Sequence, residues 1–201
     1  MSLGIAFFSQ ALSSAVTWNP ADKNANLALS GSDLIVTKTT TDAYGTVRAT
    51  WGIAAAANGY FEVYISEATQ SQYIMIGVGT SAMSLSASVG ASATGRAYYQ
   101  ETGDKWTNGG NSAYGASYLA NGTVIGVAFK NGKLWFAKNN TWQAGGDPAA
   151  DTGEAFSGIT GTIYPAVSLY RKSAPAHVIS GRFKTADFTY SPPSGFAAWE
   201  A

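Results

Sequence analysis

With one histidine, no cysteine and twelve carboxylates in 201 residues, this chain has few ways to make or break a covalent bond. A nucleophile needs a base beside it, and His177 sits between Ala176 and Val178 in an apolar run, where an imidazole reads as structural or simply exposed. Zinc takes several His, Cys or carboxylate ligands, so one histidine without cysteine all but excludes it. A hard cation asks only for oxygen, which Asp147, Asp151 and Glu154 offer within one loop, but without EF-hand spacing. Glycoside hydrolysis needs two carboxyl groups facing each other about 5 to 10 Å apart. Glu62 against Glu101 and Asp104 is the only pairing on hand; Glu62 alternates with aromatic residues, and the other two lie in a polar turn where acids are ordinary. Gly77-Val78-Gly79 and Gly109-Gly110 precede no helical pattern, so a phosphate-cradling loop lacks its context. The residues read as those of a non-enzyme with neither metal nor cofactor.

What remains is a set of rings among amides. Trp106, Tyr114 and Trp142, with Asn108, Asn111, Asn139 and Asn140 close in sequence, combine flat apolar faces with short hydrogen-bonding groups. That mixture suits sugars, whose C–H faces stack on rings, and equally suits protein contacts. These seven are the candidate ligand-binding residues. The competing reading is that half the rings are core: Tyr98 and Tyr99 are adjacent, so in a strand one of them must point inward.

Apolar residues make up 46% and aromatics 13%, with 23 glycines, while only 12% is charged. This is the composition of a folded, turn-rich chain of one domain. Twelve basic residues balance the acids, leaving no field or cluster to gather nucleic acid. The lack of cysteine gives no sign of an oxidising compartment and fits cytosolic synthesis. Residues 1–16 are mildly apolar but have no basic n-region, so they read as mature protein rather than a signal peptide. No apolar run reaches the roughly 20 residues that cross a bilayer.

The elements that must position the candidates read as short strands. In residues 121–142, two apolar alternating runs hinge on Lys130-Asn131-Gly132, and Asn131-Gly132 is the pair that a type I′ hairpin turn demands. Val124, Gly126, Ala128, Leu134 and Phe136 fall on one set of alternating positions; Ile125, Val127, Phe129 and Trp135 fall on the other. Further strands read at 27–30 and 34–38 around the turn Gly31-Ser32-Asp33, at 46–51, 60–66, 96–100, 162–169 and 176–183. The run 73–80 is apolar on both alternations, as in a strand buried on both faces. Residues 81–94 read as a connecting loop, 101–115 as a polar turn-rich segment, and 143–161 as a long loop with an ordered or functional role. About eleven short strands and no helical period predict an all-β, antiparallel two-sheet sandwich.

Several of these runs, in order, resemble the SPRY domain family. Gly59-Tyr-Phe-Glu-Val-Tyr-Ile65 is similar to the family's "yyFEV" strand and Ile76-Gly-Val-Gly-Thr80 to its "iGig" strand. The hairpin Gly122-Thr-Val-Ile-Gly-Val-Ala-Phe129 with Gly132-Lys-Leu-Trp-Phe-Ala-Lys-Asn-Asn140 is similar to "GDvIGValdl..gkl.F.kNg", and Tyr164-Pro-Ala-Val-Ser-Leu169 to "yPavsl". Thr123 stands where the family has an acid, and His177-Val-Ile-Ser-Gly-Arg-Phe183 replaces "NFGq". The resemblance implies a concanavalin-like jelly-roll sandwich over 27–190, an amino-terminal arm at 1–26 and an extended tail at 191–201 packing on the domain. It implies binding through loops without catalysis, and it gives Glu62 a structural place. Residues 142–153 and 188–196 further resemble SPRY proteins of tailed bacteriophages. That branch implies a virion protein, made in the host cytoplasm, whose loops 101–115 and 139–158 recognise a host cell-surface glycan or protein. Its other implied partner is a second virion protein, in capsid decoration or a tail joint, with Phe7, Phe8 and Trp18 as attachment arm. No nucleic acid and no membrane insertion are expected; a homo-oligomer is, as a trimer in a fibre.

Overall fold

The computed structural model describes residues 15–40, 42–68, 73–171 and 174–200. Its strands in chain order are β1 (Trp18–Lys23), β2 (Leu27–Ser30), β3 (Ile35–Lys38), β4 (Gly45–Ala49), β5 (Ile53–Ala54), β6 (Asn58–Glu67), β7 (Tyr73–Gly79), β8 (Gly95–Tyr99), β9 (Lys105–Thr107), β10 (Gly110–Ser112), β11 (Val124–Lys130), β12 (Lys133–Lys138), β13 (Thr141–Trp142), β14 (Thr162–Tyr170) and β15 (Val178–Arg182). They form two antiparallel sheets. The first runs β1-β4-β14-β7-β8-β9-β10, with β5 also against β14; the second runs β13-β12-β11-β6-β15-β3-β2. The expected all-β sandwich is the observed one. Helix among the described residues is limited to two 3-10 turns, Gln143–Gly145 and Thr185–Asp187.

The hairpin from β11 to β12 shows how the sequence makes the core. Asn131 and Gly132 have φ of 50° and 73°, the left-handed pair of a type I′ turn, and Lys130 pairs with Lys133 across it. A two-residue turn sets odd positions of β11 opposite even positions of β12: Val127 faces Phe136 and Phe129 faces Leu134. These four enter the main core, whereas Ala128 and Trp135 turn outward into a smaller cluster with Tyr60 and Phe196. The alternation therefore changes parity at the turn, which corrects the grouping of Leu134 and Phe136 with Val124, Gly126 and Ala128.

Each sheet is covered on its outer face by chain that is not strand. Over the first sheet, residues 80–94 lay Met83 and Val89 against Met75, Ala97, Tyr99 and Ala166, and the Val89 N–H donates to Ser168 Oγ at 3.1 Å. This cover is why β7 is buried on both faces. Over the second sheet runs the tail, with Phe188 and Phe196 on the Tyr60–Trp135 cluster. The buried carboxylate of Glu62 accepts the backbone N–H groups of Thr189 at 2.7 Å and Tyr190 at 2.9 Å. Beyond it, Trp199 turns into the core, its ring centroid 5.5 Å from that of Phe61 and its Nε1 donating to the Trp51 carbonyl.

Trp18, expected in an attachment arm, is 0% exposed. Its ring meets Phe183 edge-on at 5.1 Å, and its Nε1 donates to the Leu34 carbonyl at 3.1 Å. A docking aromatic needs a free face, and this one fills the core. Phe7 and Phe8 lie outside the described residues.

Candidate functional site

The groups that raised the question of catalysis are each committed elsewhere. Glu62 is 0% exposed and accepts, besides the two tail amides, the Tyr60 hydroxyl at 3.0 Å and Arg182 at 3.3 Å. Burial, then the neighbouring Glu62 carboxylate, raises the Tyr60 hydroxyl pKa. Glu101 and Asp104 follow β8 on the other sheet, where Glu101 accepts from the Tyr99 hydroxyl at 2.6 Å and Asp104 from Asn111 Nδ2 at 2.7 Å. In the 143–161 loop the Asp147 carboxylate accepts the Ala149 and Ala150 amides, and Lys133 Nζ lies 3.4 Å from Asp151 and 3.9 Å from Glu154. Two of these three carboxylates thus already face a lysine, and the third caps its own turn. The loop is ordered by Trp135 Nε1 donating to the Thr152 carbonyl and Lys105 Nζ to that of Ala155. His177 precedes β15 and is fully buried, its ring nitrogens near the backbone of Glu67 and Tyr170 but without a hydrogen bond of good geometry. Burial pushes its pKa down to about 4, the backbone of Glu67 and Tyr170 offsetting part of the effect.

The seven candidate binding residues do not converge. Trp106 pairs with Ala97 and lies half-buried on the outer face of the first sheet, edge-on to Tyr99 at 5.9 Å. Trp142 pairs with Ala137 on the outer face of the second, edge-on to Tyr60 at 6.5 Å. The sandwich stands between them. Tyr114 bridges the sheets instead: its hydroxyl accepts the Phe136 N–H at 3.2 Å and its ring meets Tyr98 at 5.7 Å, with burial raising its pKa to about 12. Asn108, Asn139 and Asn140 have φ of 53°, 47° and 66° and form the turns of the β9–β10 and β12–β13 hairpins. Asn139 Oδ1 also accepts the Val124 N–H at 2.8 Å. Asn111 is exposed on β10, tied to Asp104. Asn108 and Asn111 accompany Trp106 on one hairpin; Asn139 and Asn140 accompany Trp142 on the other.

A different end of the sandwich gathers features suited to recognition. There the turn at Trp51, the 80–94 loop, the Asn108-Gly109 turn and residues 157–163 meet: Ile53 pairs with Ile163, the Asn108 N–H donates to the Ser92 carbonyl, and the Ile159 N–H donates to that of Gly132. Trp51, at 46%, is the exposed large hydrophobic residue of the described chain. Beside this end is a cavity of about 130 Å³, walled by Thr80, Thr94, Arg96, Ile159, Thr160 and Ile163 among others, with no acidic residue in the wall. Arg96 donates through one amino group to the Ala93 and Gly95 carbonyls at 2.6 and 3.0 Å, its guanidinium lying 5.9 Å from the Phe156 ring centre. Neither Trp51 nor Arg96 stood out in the sequence. The available signal was Trp51 between a strand and Gly52; nothing local marks an arginine as unpaired.

The architecture and its loop end can be set against known proteins. The family model described as the SPRY domain matches residues 58–182. The chain belongs to the SPRY family. Members of that family are in general non-catalytic protein–protein interaction modules. In shape this SPRY domain is similar to the crystal structure of the SPRY domain of human HERC1, with a TM-score of 0.68 and 16% identity over 87% of this chain and 99% of that one. It is also similar to a crystal structure of a human SPRY domain, with a TM-score of 0.62 and 16% identity over 80% and 96% of the two chains. No curated protein matches it in sequence. The family match ends before the tail, so the strap that Glu62 holds and the buried Trp199 lie outside it.

Proposed function

We propose that this SPRY domain is a non-enzymatic recognition module that takes a protein surface at the end bearing Trp51 and the adjoining cavity. The observation that carries the reading is Trp51, an indole left 46% exposed at the same end of the sandwich as a small cavity whose wall includes Ile163, the strand partner of Ile53; among the described residues it is the large apolar side chain left exposed. Interface hot spots are enriched in tryptophan and arginine set in or beside pockets. The β9–β10 hairpin borders the same end through the Asn108 and Gly109 amides, which makes Trp106, Asn108 and Asn111 the flank of the proposed contact. Trp142, Asn139 and Asn140 form a second, separate patch.

A protein is favoured over a glycan by size. Ligand sites for small molecules run to about 300–1,000 Å³, whereas the cavity holds about 130 Å³, room for one side chain rather than a saccharide chain. We place the module in a tailed-phage particle, made in the host cytoplasm and facing a host surface protein or another virion protein. Support for that setting is the wording of residues 142–153 and 188–196.

The test is selection from a random peptide library and, in parallel, an array of bacterial surface glycans, with wild type beside Trp51→Ala. Saturable peptide binding that the substitution weakens about 30-fold or more, about 2 kcal/mol, with an unchanged melting temperature, is the expected result. Saturable binding to glycans alone overturns the protein reading.

A further inference from the structure

Arg96 is a cation without a counter-charge. Among the described residues the ion pairs involve Arg48, Lys133 and Arg182, and Arg96 takes part in none. Its two hydrogen bonds, to Ala93 and Gly95, both leave from one amino group and both reach neutral carbonyls. A guanidinium carries five N–H donors in a planar fork, so its Nε and second amino group remain available. Neither of these nitrogens is sealed in the interior, and the residue walls the cavity. Partial burial strips water from this charge and lowers its pKa, but guanidinium stays protonated in proteins.

The rest of the wall fits a small anion with an apolar stem. Thr80, Thr94 and Thr160 bring neutral hydroxyl groups, Val78, Ile159 and Ile163 bring apolar surface, and no carboxylate competes. Arg48, the other arginine near this end, is already held by Asp22 through two bonds of 2.7 Å. The volume of about 130 Å³ is in the range of a cavity that accepts a benzene-sized group, about 150 Å³. An aspartate or glutamate side chain is of that order, and a charge-assisted fork from Arg96 is the geometry that carboxylates take best.

We infer that the cavity walled by Arg96 is a seat for one acidic side chain of the partner protein, whose carboxylate is gripped by the free side of the Arg96 guanidinium. The inference rests on the protein-recognition reading above and adds to it the chemistry of the anchor. Trp51, at the same end of the sandwich but outside the cavity wall, then offers a separate apolar contact, and Arg96 supplies specificity, because a neutral amide in the same place leaves a desolvated cation unmatched.

The peptides selected by the wild-type chain decide the matter. They are expected to share an Asp or Glu at one position, and replacing it by Asn or Gln should weaken binding about tenfold or more. Arg96→Gln should weaken the acidic peptide by a similar factor and leave its amide version unchanged. The peptide-side substitution needs no altered protein, so the result stands even if Arg96→Gln disturbs folding. Selected peptides without a common acid, or an acidic peptide and its amide version binding equally, overturn the seat while leaving the recognition reading in place; no peptide binding at all removes both. A phosphoserine peptide that binds more than tenfold tighter than the acidic one overturns the assignment to carboxylate in favour of phosphate.

Discussion

Glu62→Gln keeps the shape of the side chain that holds the tail and removes its charge. One oxygen accepts from the Tyr60 hydroxyl and the Tyr190 N–H, the other from the Thr189 N–H and Arg182. Whichever way the glutamine amide turns, its NH₂ meets a backbone N–H, and that donor is left buried without an acceptor. A stranded donor costs about 1–3 kcal/mol, and the surviving bonds, no longer charge-assisted, lose roughly 1 kcal/mol each. The bond to the partly exposed Arg182 is discounted for solvent screening. About 3–5 kcal/mol is expected in all, and at about 2–4 °C per kcal/mol for a chain of this size the melting temperature falls by roughly 6–20 °C. Calorimetry reads the total, and hydrogen exchange at Thr189 and Tyr190 reads the place. A fall under about 2 °C with both amides still protected refutes the claim that this carboxylate fastens the tail.

His177 gives the chain an acid sensitivity of known sign. Its pKa is depressed to about 4 in the folded protein, against about 6.5 unfolded, so the unfolded chain binds the extra proton. Stability therefore declines as pH drops through the window from about 6.5 to about 4, by about 3 kcal/mol in full; urea midpoints across that range should show the slope in wild type and its loss in His177→Leu. Gly132→Ala should cost about 2 kcal/mol or more, since φ is +73° and a Cβ would stand 2.6 Å from the Ile159 carbonyl oxygen; denaturant titration checks it. Trp199→Ala opens a cavity in the main core and should cost about 3–5 kcal/mol, unfolding the chain at lower urea although the residue lies beyond the family match.

How much of this could be read beforehand depends on whether a neighbour in sequence or a stranger did the covering. The β11–β12 hairpin was legible because alternation and turn chemistry agreed within one stretch. β1 was not: Asn19 and Pro20 interrupt any alternation, and its register shifts between Trp18 and Lys23, as is common for edge strands. β9 and β10, three residues each, are too short to show a period, and only Asn108-Gly109 hinted at them. Trp106 and Trp142 have polar sequence neighbours, which suggested exposure; their partial burial comes from residues 80–94 and from the tail, segments distant in sequence. The amides offered for ligand contact proved in three cases to carry the left-handed backbone of a turn, a demand that asparagine meets as readily as it meets a sugar. Arg96 was illegible because its interest lies in the acid that is missing from its surroundings.

The unequal burial of the indoles gives the molecule a built-in optical probe. Trp18, Trp135 and Trp199 are sealed in the interior and Trp106 and Trp142 are half-covered, while Trp51 alone among the six meets water broadly. A collisional quencher such as acrylamide should therefore reach one emitter far ahead of the rest, and that emitter sits at the end proposed above for recognition. A partner that docks there would shield it and shift its emission to the blue, with Trp142 and the three interior indoles silent. Native fluorescence can follow occupancy at this surface without a label, and a change confined to the red edge separates docking from unfolding, which would expose all six together.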